Sequence, residues 1–271
     1  MDCDGLLNIG ARITHFFDAK RVEGLSQKSL KNYRMYLEMF AEHTPKNIND
    51  VSVDDIRAFI EYMGEERHLK NSSLQAVLNI LRSFFGWLSV EEIIDRNPML
   101  KIKSMKINMK NARRPLTLDD LERLRNACQN YREKAIVELF YSTGCRLAEV
   151  LSIKICDIDF AQRSVGILGK GSKERTVYFS VRARLMIQEY LRQRSGDNPF
   201  LFCSVRAPFQ ELKSKAMENI LRDIGQRAEI GRRIYPHLLR HTFATNLLNS
   251  GMDITIIQRL LGHENLDTTQ I

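Results

Sequence analysis

Paired cysteines are missing from this 271-residue sequence. Its five cysteines (Cys3, Cys128, Cys145, Cys156 and Cys203) are odd in number and widely spaced, with no Cys-x-x-Cys among them. That spacing excludes a disulfide framework and a cysteine zinc site, and it fits a reducing cytosol. Long apolar runs are missing too: no stretch approaches the roughly 18–20 residues needed to span a bilayer. The N-terminus, Met1-Asp-Cys-Asp-Gly5, lacks the basic n-region and apolar run of a secretory signal. No internal repeat or low-complexity tract appears. A soluble, cytoplasmic protein is expected, and the length suits two domains that each bury a core.

Acidic residues are absent from one stretch. Residues 99–115 carry six basic side chains, Lys101, Lys103, Lys106, Lys110, Arg113 and Arg114, and no acidic one. Residues 1–98 have a net charge of −3 and residues 116–271 of +5, within a total of +8. An excess placed in this way fits a polyanionic partner, most simply nucleic acid. The basic stretch follows the helix-ending pair Asn97-Pro98 and shows no helical apolar stripe, so it reads as an extended linker. Its side chains are either solvated or laid along phosphates, and the lack of acid favours the second.

Before the linker, apolar residues recur at helical spacing in four groups. Ile9, Ile13, Phe16 and Phe17 form one. Leu30, Tyr33, Leu37 and Phe40 follow a cap at Ser26 or Ser29. Ile56, Phe59, Ile60 and Met63 follow Ser52, and Leu74 to Leu88 follow Asn71 or Ser72. Four such helices in residues 1–98 predict a small bundle. After the linker, Thr117-Leu-Asp-Asp120 reads as a helix cap. Helices are expected over about 118–128, 132–142, 181–194, 213–228, 237–250 and 254–261. Between them the period changes to two: Ile158 and Phe160, Val165 and Ile167, Val177 and Phe179 predict a three-stranded antiparallel sheet. The fold class is therefore mainly α with a small antiparallel β-sheet, divided as 1–98, 99–115 and 116–271.

Candidate chemistry gathers in the last segment. Thr143 or Gly144 reads as the cap of a helix with Arg146 in its first turn, where free backbone N–H groups favour an anion. Glu149 lies one turn on and can hold a guanidinium or an imidazole. Lys170 lies between two glycines at the tip of a predicted hairpin. His237 and Arg240 are three apart on a helix opened by Pro236, so they share a face. His263 follows the helix stop Leu260-Leu-Gly262. Each alone has an ordinary explanation as a solvated or structural side chain. Two imidazoles and a guanidinium brought to one place suit the oxygens of a phosphoryl-transfer transition state.

Taken in order, these pieces resemble the tyrosine recombinase (phage integrase) family, most of all its compact Xer-type members, across essentially the whole chain. The resemblance implies a helical, SAM-like core-binding domain and an α+β catalytic domain. It assigns catalytic roles to Arg146, Lys170, His237, Arg240 and His263, with Glu149 as the helper acid. A tyrosine would attack a DNA phosphodiester and form a 3′-phosphotyrosyl link, using neither metal nor cofactor. The expected partners are a duplex recombination site and, in a four-protomer synapse, further copies of the chain. The family's tyrosine lies nine residues after the second histidine, which is position 272 here, one beyond Ile271. The 271 residues are thus expected to bind DNA without cutting it, as a monomer or with weak cooperativity. A non-catalytic DNA-binding regulator and a type IB topoisomerase-like enzyme are the alternatives.

Overall fold

Side-chain caps set most helix boundaries in the first half of the chain. In the computed structural model, which describes residues 8–106, 114–169 and 174–262, Asn8 caps α1 (Ile9–Val22) and Ser26 caps α2 (Gln27–His43). Ser52 and Asp55 form a reciprocal capping box at the start of α3 (Val53–Glu65). The fourth helix, α4 (Asn71–Val90), begins after Lys70 with no side-chain cap bond. The chain separates into two compact units, residues 1–111 and 112–271.

The first unit is held by aromatic packing. Phe16, Phe40, Phe59, Phe84 and Phe85 are fully buried. Phe40 meets Phe59 edge-on at 5.2 Å between centroids, and Phe16 meets Phe84 at 5.3 Å. Burying each ring contributes about 1.5–3 kcal/mol, and each such pair about 0.5–1.5 kcal/mol more.

The start of the basic stretch is a turn rather than extended chain, whereas Ile102 is extended and residues 107–113 lie outside the described residues. Pro98–Lys101 is a 3₁₀ turn whose Met99 is buried in the first unit's core, and Ile102 and Met105 pack against the same core. Three hydrogen bonds hold the backbone that follows. Arg82 Nη2 donates to the Ile102 carbonyl at 3.1 Å, Met105 N–H to Gln75 Oε1 at 2.7 Å, and Asn71 Nδ2 to the Lys106 carbonyl at 3.3 Å. Lys101, Lys103 and Lys106 remain exposed. The sequence pattern does not show this because only three apolar residues dock, one at every third position, too short a run to read as a helical stripe. At the other end, Arg232 takes the carbonyls of Arg114 and Pro115, and the Leu116 N–H donates to Thr242 Oγ1 at 2.9 Å.

The second unit is built round α6 (Tyr131–Thr143), which packs against α5 (Leu118–Asn126), α8 (Val181–Gln193), α9 (Ser214–Arg227) and α10 (Pro236–Asn249). Between the short α7 (Leu147–Ser152) and α8 lies an antiparallel sheet, β1 (Ile158–Asp159), β2 (Ser164–Leu168) and β3 (Glu174–Tyr178), in that order. Val165 faces Val177 and Ile167 faces Arg175 across β2 and β3. Helix α11 (Ile254–Leu261) packs on α10 through Ile257, Leu261 and Ala244. No described helix is long and apolar enough to cross a membrane.

Candidate active site

Carbonyls at two helix ends, each closed by a left-handed glycine, bring Arg146 and Arg240 to one place. Gly144 (φ +61°) ends α6, and Gly262 (φ +67°) ends α11. This corrects the reading of Thr143 or Gly144 as an N-cap. Gly144 is the C-cap of the preceding helix, and Arg146 itself stands at the N-cap position of α7. The backbone N–H of Arg146 is not free for an anion either, because it donates to Glu149 Oε2 at 2.7 Å. What Arg146 offers a ligand is its side chain, which is one-third exposed.

Glu149 is the centre of the cluster and is almost fully buried. Arg146 Nη1 donates to its Oε1 at 3.0 Å. Arg175, on β3, donates from Nη1 to Oε1 at 2.9 Å and from Nη2 to Oε2 at 3.0 Å. Burial alone would raise the Glu149 pKa. The Arg175 hydrogen bonds, the Arg146 backbone N–H, the charge of Arg175 and the Arg146 side-chain hydrogen bond outweigh it and hold the carboxyl below its usual range.

Arg240 is also buried, at 6% exposure. Its Nη1 donates to the Gly144 carbonyl at 2.7 Å and its Nη2 to the Leu261 carbonyl at 2.8 Å. The two helix ends therefore orient it, since their last carbonyls lack intrahelical partners. Burial, and next the charge of Arg146, push its pKa down to about 10. That still leaves it a cation at pH 7 by roughly a thousandfold. Arg146 Nη2 reaches the neighbouring Gly262 carbonyl at 3.2 Å. Three guanidiniums against one carboxylate leave two positive charges at a partly open place.

His237 sits exposed in the first turn of α10, three residues before buried Arg240. Lys170, His263, Lys110 and Arg113 lie outside the described residues. Lys170 falls in the sequence between β2 and β3, and His263 directly follows Gly262. Among the described residues no group of three or more His, Cys, Asp or Glu could hold a metal ion.

Arg175 is the member that inspection of the sequence missed. It stands two residues before buried Val177 on β3, and alternation puts both on the inward face. A charged residue at an inward strand position must find a partner, and that was the available signal.

The Phage integrase family model matches residues 114–271, and the model of the phage integrase N-terminal SAM-like domain matches residues 13–95. The chain belongs to the phage integrase family. Tyrosine recombinase XerC of Staphylococcus aureus (strain NCTC 8325 / PS 47) is 34% identical over 268 residues, covering 94% of this chain and 88% of that protein. Tyrosine recombinase XerC of Oceanobacillus iheyensis is 33% identical over 263 residues, covering 91% and 85%. Among solved structures, XerA recombinase is 27% identical with a TM-score of 0.55, covering 97% of this chain and 92% of that one. A lambda integrase fragment (75–356), solved as a dimer bound to a COC′ core site, shares the fold at 19% identity and a TM-score of 0.77, covering 97% of each chain.

Proposed function

We propose that this chain, together with the family's nucleophilic tyrosine, performs site-specific DNA recombination in the cytoplasm, and that Arg146, Arg240 and Glu149 form the core of its scissile-phosphate site. The observation that carries the proposal is the cluster itself: two guanidiniums tied to helix-end carbonyls, one of them also to a buried, ionised carboxylate, with positive charge to spare. Preorganised donors of this kind stabilise the extra charge on a phosphorane-like transition state, and losing one commonly costs on the order of 10²–10³ in rate.

In the reaction proposed, a tyrosine oxygen bonds to phosphorus as the bond to the 5′-oxygen breaks. The phosphate stays on the enzyme as a 3′-phosphotyrosyl link. Lys170 gives the leaving 5′-oxygen its proton. His237 and His263 orient the phosphate and help take the proton from the tyrosine. The family pattern puts that tyrosine at position 272, so residues 1–271 by themselves are expected to bind a site without cutting it, as a monomer or with weak cooperativity. Recombination would then proceed in a four-protomer synapse. Lys101, Lys103, Lys106, Lys110, Arg113 and Arg114 contribute affinity through phosphates, which carry no base identity.

The test begins by selecting bound sequences from random duplexes, then nicking the selected site to trap a covalent intermediate. The 271-residue protein should shift this DNA yet give no adduct on a denaturing gel. With one tyrosine appended after Ile271, an adduct should form. Binding without any adduct from the extended chain would favour a non-catalytic regulator. Adducts that relax supercoils but never exchange strands would favour a topoisomerase.

A further inference from the structure

Four donors converge on the two oxygens of Glu149, two on each. Oε1 accepts from Arg146 Nη1 and Arg175 Nη1, and Oε2 accepts from the Arg146 backbone N–H and Arg175 Nη2. A carboxylate has about four lone-pair sites, so this one is saturated. A saturated carboxylate of lowered pKa is poorly suited to take a proton, which leaves it the work of a scaffold.

Arg175 also touches the far side of the site. A Cβ built on Gly262 would stand 2.8 Å from Arg175 Nη1 and 2.9 Å from its Cζ, so the guanidinium lies directly against that glycine. The Gly262 carbonyl, in turn, accepts from Arg146 Nη2. The contacts thus form a closed ring, from Arg175 to Glu149 to Arg146 to Gly262 and back to Arg175. It links β3, α7 and the end of α11.

We propose that Arg175 is a positioning residue for the phosphate site, fixing Arg146 through both oxygens of Glu149 and through Gly262. This rests on the phosphate-site reading above. Charge makes the role specific. With Arg175 in place, one guanidinium offsets Glu149 and the charges of Arg146 and Arg240 remain for a ligand. Without it, Glu149 draws on Arg146 alone, and the site loses one of its two surplus charges. Lysine cannot substitute fully, because a single ammonium does not span two carboxylate oxygens as a guanidinium fork does.

Two measurements test this. In the 271-residue protein, the guanidinium NMR signals of Arg146, assigned with Arg146→Lys, should show two resolved Nη groups held against rotation. In Arg175→Lys they should average to one. Unchanged Arg146 signals in both Arg175→Lys and Arg175→Ala would overturn the proposal. In the chain with a tyrosine appended after Ile271, single-turnover adduct formation at saturating DNA should fall at least tenfold in Arg175→Lys. It should fall further in Arg175→Ala, while the DNA concentration giving half-saturation stays the same. Adding Arg175→Lys to Arg146→Lys should cost little more than Arg146→Lys alone. Equal rates for Arg175→Lys and its parent, or strictly additive losses in the pair, would overturn the claim. Thermal melting verifies that Arg175→Lys, which keeps the charge and an aliphatic stem, is folded at the assay temperature. If the extended parent forms no adduct at all, the recombinase reading falls, while the Arg146 spectrum still decides about Arg175.

Discussion

Among the described residues, the first unit buries one polar side chain, Thr44, whereas the second buries Glu138, Thr143, Glu149, Arg240, Thr242 and Gln258. The first unit is a helical bundle closed by phenylalanines, which need no partners beyond shape. The second carries buried charge and must satisfy each group. It does so in two ways. Glu138 is taken by Arg125, at 2.6 and 3.0 Å, and by Arg182 at 3.0 Å, which ties α5, α6 and α8 together. Glu149 accepts four hydrogen bonds, but one of its partners, Arg146, is one-third exposed. Buried pairs seldom stabilise more than an apolar replacement would. The Glu149 cluster therefore fits selection for a site better than selection for stability.

The largest effect should come from breaking each core at its centre. Phe59→Ala in the first unit should cost about 3–5 kcal/mol by leaving a cavity. Glu149→Gln should cost a similar amount, about 3–5 kcal/mol, by leaving Arg175 and Arg146 uncompensated. Acid separates the two. The folded-state pKa of Glu149 lies below its ordinary value. Its stabilisation is therefore present above the unfolded pKa and is lost as pH falls through the folded one. Denaturant melts from pH 7 downward should show the Glu149→Gln deficit shrinking relative to the parent. The Phe59→Ala deficit should stay nearly constant. A Glu149→Gln deficit that does not change with pH would mean that packing, not charge, explains this residue's burial.

A smaller effect is expected from two left-handed glycines. Gly24 (φ +82°) in the first unit has nothing within 4 Å of the place a Cβ would take, while Gly262 has the Arg175 guanidinium there. Gly24→Ala should cost only the backbone penalty, roughly 1–2 kcal/mol. Gly262→Ala should cost that and also displace Arg175, so adduct formation by the tyrosine-extended chain should slow. Equal rates for the two variants would show that the contact at Gly262 does not reach the chemistry.

Much of the second unit was legible because local rules and tertiary packing agree there. The Thr117–Asp120 capping box, the alternation of Val165, Ile167 and Val177, and the Gly262 stop all appear where the sequence pattern puts them. Arg146, Glu149 and Arg240 could be proposed as a set because motif order carries information about three dimensions that spacing alone does not. The remainder depended on contacts far apart in sequence. Arg175 gains its meaning from Glu149, 26 positions earlier. Gly144 could not be assigned to one helix end or the other until α7 was seen to begin after Arg146. The docking of Met99, Ile102 and Met105 leaves only a weak trace, because three anchors at every third position over seven residues are too short a run to distinguish a helix from a docked irregular segment.

That docking gives the smallest and most local prediction, and it returns to the difference between the units. The first unit hides almost no polarity, yet it wears Lys101, Lys103 and Lys106 on a segment fastened to its own core. A lysine on a fastened segment can meet one phosphate repeatedly, whereas on a free tether it would only raise the local cation concentration. If each lysine contacts one phosphate, each single Lys→Ala change should flatten the log–log salt dependence of DNA affinity by roughly 0.9. Across a fourfold change in salt that amounts to roughly a 3.5-fold difference in affinity. Specific and nonspecific binding should weaken together, with the melting temperature unchanged. Ile102→Asn provides the contrast, because it leaves the net charge unchanged and removes the apolar anchor between the lysines. If fastening matters, Ile102→Asn should weaken binding about as much as losing a lysine, and it should flatten the salt dependence in the same way. Full affinity and an unchanged slope in Ile102→Asn would show that the charges act from a tether after all.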